Sequence, residues 1–158
     1  TLAGLGFDVC GWSASGRGPE GMRVYAGPDL EPALSRADIL VTLLPDTAET
    51  RGLLNAKRLA MLPRGAAIIN PGRGTLIDDE ALLAALDEGR VSRAALDVFH
   101  TEPLPPNHPF WHHERIHVTP HIAAATRPET AALLVAENLR RAASGREPLY
   151  LVDRARGY

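Results

Sequence analysis

Three polar residues of complementary chemistry stand just behind short apolar runs: Arg73 in Asn70-Pro71-Gly72-Arg73-Gly74, Glu102 soon after Leu96-Asp97-Val98-Phe99, and His121 in Thr119-Pro120-His121. A guanidinium offers a carboxylate a planar fork of donors. An imidazole moves protons near neutral pH, and a carboxylate beside it holds the ring and favours its charged form. The set suits a small anionic ligand: Arg73 would hold the anion, and His121, tuned by Glu102, would move a proton. Asp97, at another strand end, is suited to accept a bond from an amide. Singly, an Arg or a Glu after a strand is usually half of a surface ion pair. The set in this order points to an enzyme.

Such residues meet only if the fold gathers strand ends. Apolar runs and helical patterns alternate along the chain. Strands are expected at 7–12, 38–44, 66–70, 93–98 and 116–119. Asp29 is expected to cap a short helix ending near Ala37, and Asn55 one that runs to Met61 before Pro63-Arg64-Gly65. Asp78 caps a third, with acidic residues in its first turn and Gly89 past its end. Thr126 and Glu129 form a capping-box pattern before a long helix to about Ser144. Strands separated by helices imply βαβ units and a mostly parallel α/β sheet of the doubly wound Rossmann type, whose ligand site lies at the strands' carboxyl ends. Nearly all-apolar strands predict a sheet covered on both faces. The Pro-rich segment 103–109 reads as a site rim.

A dinucleotide-binding domain opens with strand, G-x-G-x-x-G and helix. Gly4-Leu5-Gly6 lacks the third glycine, since Val9 stands there, and no strand precedes it. Gly4 and Gly6 are instead expected to close a helix, with the phosphate-binding loop upstream of Thr1. After the strand at 7–12, where an acidic residue ordinarily bonds a ribose, the chain has Ser13, Ser15 and Arg17 and no carboxylate. Two hydroxyls and a guanidinium suit a 2′-phosphate, so NADPH is expected in preference to NADH. Pro45 and Thr50 are expected to line the cofactor groove.

At 158 residues and a net charge of −2, the chain is long enough for an ordinary domain and has no basic field for nucleic acid or an anionic membrane. No apolar run reaches the ~18–20 residues of a membrane span. The single Cys10 excludes an internal disulfide and is expected to be buried and inert, which fits the cytoplasm. His108, His112, His113 and His117 lack metal-ligand spacing, so no metal site is expected. Trp111 reads as a loop anchor more than a substrate contact.

The segments Asn70 to Leu82, Ala95 to Leu104 and Val118 to Ile122, occurring in that order, resemble the three signatures of the D-2-hydroxyacid dehydrogenases. Leu44-Pro45, Pro105-Pro106, Ala123-Ala124 and the closing stretch 152–158 resemble its glyoxylate/hydroxypyruvate reductase branch. The resemblance implies that Arg73 binds substrate, that Glu102 and His121 are the acid/base pair, and that Asp97 meets the nicotinamide carboxamide. Ala123 joins the cofactor contacts. It implies NADPH-dependent reduction of a small 2-oxo acid (glyoxylate to glycolate, hydroxypyruvate to D-glycerate) by a homodimer, with NAD as the other cofactor. It further implies a partial nucleotide-binding domain over 1–124 and a helix and tail over 125–158 that return to a substrate domain, with a hinge at 123–127. Two alternatives stay open: a non-catalytic, nucleotide-sensing scaffold of the same fold, and a dehydrogenase for another 2-hydroxy acid.

Overall fold

The computed structural model describes residues 1–154; the last part of the closing stretch, 155–158, lies outside the described residues. Six short strands form two parallel sheets. Strands β1 (Cys10–Trp12) and β2 (Arg23–Tyr25) pair with each other. Strands β3 (Ile39–Val41), β4 (Ala66–Asn70), β5 (Val91–Leu96) and β6 (Ile116–Val118) lie side by side in chain order. All neighbours are parallel, so every strand of the larger sheet ends on the same edge.

Local chemistry explains the helices that start where expected. In α2 (Ala56–Leu59) the Asn55 side chain accepts the Arg58 amide, and in α3 (Asp79–Asp87) Asp78 accepts the Ala81 amide. Gly89 follows α3 with φ of 67°, the left-handed conformation that ends a helix. Leu82, Ala85 and Leu86, at helical spacing, bury one face of α3 among Leu54, Leu59, Leu62, Ile68, Leu76 and Val91. Fully burying each such leucine contributes about 1.5–3 kcal/mol.

Other elements differ from expectation. Strand β2 was not anticipated, because Arg23-Val24-Tyr25 is short and flanked by Gly and Pro. The strand expected at 7–12 begins only at Cys10, and Cys10 is half-buried rather than buried. The strand at 38–44 shortens to three residues, β5 begins two residues early and ends at Leu96, and β6 stops at Val118. In α1 (Glu31–Leu34) Leu30 occupies the N-cap, while the Asp29 carboxylate accepts the Glu31 amide from one residue further back. The first turn holds Pro32 and the helix ends three residues before Ala37. Helix α4 (Pro128–Ala143) has Arg127 at its N-cap with no side-chain cap, so the Thr126/Glu129 box does not form; Pro128 starts the helix instead. Gly6 does close a helical turn, a 3-10 turn over Ala3–Leu5.

The largest difference is the sheet's second face. Alternate residues of β4 and β5 point into the core, whereas Ile39 (50% exposed), Val41, Ile69, Arg93 and His117 face outward. The face opposite α2 and α3 is therefore bare, and β1 and β3 each have an unpaired edge among the described residues. Helix α4 likewise has no fully buried residue. Its tail folds back on it: Asn138 receives the Leu149 amide at 2.7 Å and donates to the Leu149 carbonyl at 3.2 Å.

Two glycines are required by close approach of another stretch of backbone. A Cβ on Gly72 would lie 2.8 Å from the Thr42 carbonyl oxygen, and one on Gly74 would lie 2.0 Å from the Phe99 carbonyl carbon. Gly74→Ala is therefore expected to destabilise the chain by about 3 kcal/mol or more, measured by urea denaturation.

Candidate active site

The site lies along the carboxyl edge of the larger sheet. The loops after β4, β5 and β6 are neighbours there, and they carry Arg73, Glu102 and His121 respectively.

Arg73 is placed by Asn70, the buried last residue of β4. Asn70 Oδ1 accepts the Thr42 hydroxyl at 2.7 Å and the Gly72 amide at 3.1 Å, while its Nδ2 donates to the Arg73 carbonyl at 3.0 Å. The turn is thereby closed on itself and tied to β3. The exposed Arg73 guanidinium donates to the Gly72 carbonyl at 2.7 Å.

Glu102 and His121 meet directly. Glu102 Oε2 stands 2.7 Å from His121 Nδ1, and Oε1 accepts the Phe99 amide at 2.9 Å. A carboxylate acceptor requires the ring proton on Nδ1, which leaves Nε2 as the nitrogen that can exchange a proton with a ligand. The His121 side chain is 51% exposed, so the ring is accessible. The His121 bond, the Phe99 amide and the charges of His121 and Arg73 together outweigh partial burial and hold the Glu102 carboxyl below its ordinary value.

His121 sits at a φ of 54°, unusual for a residue with a Cβ. Asp97 is what holds it there. The His121 amide donates to the Asp97 carbonyl at 2.8 Å. Asp97 Oδ1 accepts the Thr119 hydroxyl and the Ile122 amide, and Oδ2 accepts the Ala123 amide at 2.9 Å. Asp97 is 5% exposed. Burial pushes its carboxyl up, but the Thr119 hydroxyl, the two amides and the His121 charge prevail, and the net direction is down.

The sequence of this domain matches the family described as "D-isomer specific 2-hydroxyacid dehydrogenase, NAD binding domain" over residues 1–123. The chain belongs to this family. It is 45% identical over 158 residues to a glyoxylate/hydroxypyruvate reductase A of Yersinia enterocolitica, covering 99% of this chain and 50% of that protein. Among solved structures it resembles a D-isomer specific 2-hydroxyacid dehydrogenase of Xanthobacter autotrophicus Py2 in complex with NADPH and MES (TM-score 0.94, 48% identity, 99% of this chain, 65% of that one). It also resembles an NADPH-dependent glyoxylate/hydroxypyruvate reductase of Sinorhizobium meliloti in complex with NADP and sulfate (TM-score 0.93, 40% identity, 99% and 51% covered). The chain spans about half the length of the curated relatives it matches. The Rossmann-type fold expected from the alternating pattern is that of these structures.

In this dehydrogenase domain the remaining candidates take defined places. Ser13, Ser15 and Arg17 form one loop after β1: Ser13 Oγ donates to the Arg17 carbonyl at 3.0 Å, and Ser15 Oγ accepts the Arg17 amide at 3.4 Å. Both hydroxyls thus shape the loop, and the Arg17 side chain forms no ion pair among the described residues. Thr50 donates to the Pro45 carbonyl at 2.6 Å and accepts the Thr47 amide, closing the turn after β3. Trp111 anchors its loop through an indole bond to the Pro105 carbonyl at 2.9 Å while staying half exposed. The four clustered histidines do not converge: His108 faces Asp79, His113 faces Asp87, and His117 lies on the bare sheet face. No group of three or more metal-ligating side chains occurs among the described residues.

Two positioning residues escaped the sequence reading, Asn70 and Thr119. Their signal was a polar residue ending an apolar strand, which costs stability unless its bonds are made at a turn. Asp97 was singled out for an amide, and its carboxylate accepts two amides from its own chain. Asp97→Asn is expected to cost about 1–3 kcal/mol at neutral pH, because an NH2 group would face backbone donors. A depressed carboxyl contributes stability above its unfolded value of about 3.9 and loses it as pH falls through the folded one. The deficit should therefore shrink at about pH 3, measured by urea denaturation at both pH values.

Proposed function

We propose that the protein containing this domain reduces a small 2-oxo acid with NADPH, glyoxylate and hydroxypyruvate being the substrates of choice. The observation that carries the reading is the His121–Glu102 pair, beside Arg73 on the adjoining strand end. Arg73 binds the substrate carboxylate and steadies the ketone oxygen, its planar fork fixing the carbonyl carbon in place. His121 Nε2 donates the proton as negative charge develops on that oxygen, while Glu102 keeps the ring oriented through Nδ1. The reduced nicotinamide supplies the hydride. Asp97 retains unused acceptor capacity on Oδ2 for a carboxamide beside the Ala123 amide. Pro45 and Thr50 line the groove between.

Cofactor choice falls to the loop after β1. With no carboxylate there to repel a 2′-phosphate, Arg17 binds it and the Ser13 and Ser15 hydroxyls add neutral donors. The NADPH and NADP complexes of the two structural relatives support this preference. The unpaired edges of β1 and β3 support a first strand and glycine loop that precede Thr1 and bridge the two sheets. The exposed leucines of α4 support a return of 125–158 to a substrate domain through a hinge at 123–127. In this reading the whole enzyme is a cytoplasmic homodimer.

NADPH oxidation by the full-length protein, followed at the nicotinamide absorbance with glyoxylate and with hydroxypyruvate, tests the reading; no turnover with any 2-oxo acid would favour a nucleotide-sensing scaffold instead. His121→Ala is expected to lower kcat by about 10²–10⁴-fold while NADPH binding stays within a few-fold. Arg17→Ala should raise KM for NADPH by at least about tenfold and leave that for NADH nearly unchanged, since only one of the two carries the phosphate. Equal effects on both cofactors would remove Arg17 from the phosphate site.

A further inference from the structure

Glu102 and Arg73 stand on different loops, and their separation must be fixed for both to act on one ligand. One contact is at the backbone, where Gly74 packs on Phe99. The second lies on the far side of the Glu102 turn. His100, two residues before Glu102, reaches the segment that leads into α3, where its Nε2 donates to the Ile77 carbonyl at 2.9 Å. The same nitrogen stands 3.7 Å from Asp79 Oδ1. His108 Nε2 stands 3.5 Å from Asp79 Oδ2. His108 Nδ1 accepts the Phe110 amide at 3.3 Å, so the ring's proton is on Nε2 and faces the carboxylate. Its ring also meets Phe110 edge-on, with centroids 4.4 Å apart. The first residue of α3 is thus held between imidazoles from both ends of the segment that contains Glu102.

We propose that Asp79 is a positioning residue, which with His100 and His108 clamps the Glu102 loop to α3 and so sets Glu102 against Arg73. The proposal rests on the catalytic reading of those two residues. Around Asp79 the charged groups are His100, His108 and the adjacent Asp78, and Asp78 and Glu80 line a recess with His100.

A role in stability alone fits poorly. Burial is the largest influence on Asp79 and raises its carboxyl, with Asp78 adding to it and the two histidines only offsetting them. A raised carboxyl means that ionised Asp79 subtracts from stability above its unfolded value. Asp79→Asn should therefore leave the neutral-pH Tm unchanged or higher, while the loop it held loosens. That separates positioning from folding.

The test uses the full-length protein, with hydrogen–deuterium exchange of residues 99–111 beside steady-state kinetics. Asp79→Asn is expected to speed exchange in that segment about tenfold, and to lower kcat about three- to tenfold with KM for NADPH unchanged. Asp79→Glu should recover part of the loss, and adding His108→Gln to Asp79→Asn should cost little more, because both remove one interaction. Unchanged exchange in the loop, fully additive losses, or protection lost uniformly across the sheet would each overturn the clamp. If the wild-type protein turns over no 2-oxo acid, the functional reading falls and the exchange data alone decide the clamp. If it does and Asp79→Asn changes neither exchange nor kcat, the clamp falls and the reading stands.

Discussion

The carboxylate of Asp97 is the interaction on which the rest of the site depends. His121 occupies a left-handed conformation that costs a residue with a Cβ on the order of 1 kcal/mol or more, and it persists only where the surroundings over-determine it. They do so here through the Asp97 carbonyl and both carboxylate oxygens, which together hold residues 119–123. A neutral side chain of the same shape could not accept from every donor in that turn. The anion is therefore part of the backbone geometry, and the imidazole's direction follows from it.

The same device recurs along the sheet. Among the described residues the buried polar side chains are Thr42, Asn70 and Asp97. Each ends or directly follows one of β3, β4 and β5, on the edge where the loops gather. Burying a polar group without a partner is costly, so these three act as fixed joints whose bonds are made only when each loop takes one shape. Thr42 and Asn70 join two strand ends and set the Arg73 turn, and Asp97 sets the His121 turn. Glycine supplies what polar joints cannot: at Gly72 and Gly74 the chains approach too closely for any side chain. Rigid joints on a rigid sheet bring three residues from distant sequence positions to one edge.

Much of this was legible in the residues alone. The strand at 66–70, the Asp78-capped helix and the Asn55 cap follow from short-range rules, in which the residue that makes the bond sits within three positions of its partner. Less legible were β2, three residues with no periodicity of their own, and the Thr126/Glu129 box, displaced when Pro128 took the first helical position. The expectation of a sheet covered on both faces failed for a different reason. Apolar outward residues such as Ile39, Val41 and Ile69 report what a strand is suited to pack against, not what this stretch of chain supplies.

The sequence by itself determined which groups are available: an Arg, a Glu and a His behind three strands, a hydroxyl- and Arg-bearing loop after another, and glycines where close approach is needed. Side-chain chemistry and local spacing are properties of the chain, so they could be read without coordinates. Only the tertiary structure decided that Glu102 reaches Nδ1 of His121 rather than solvent, that Asp97 is engaged with its own backbone, and that Asp79 lies between two histidines from one loop. Those pairings join residues 19 or more positions apart, and they exist because parallel strands end together. No local rule specifies which distant partners such an edge will bring within reach.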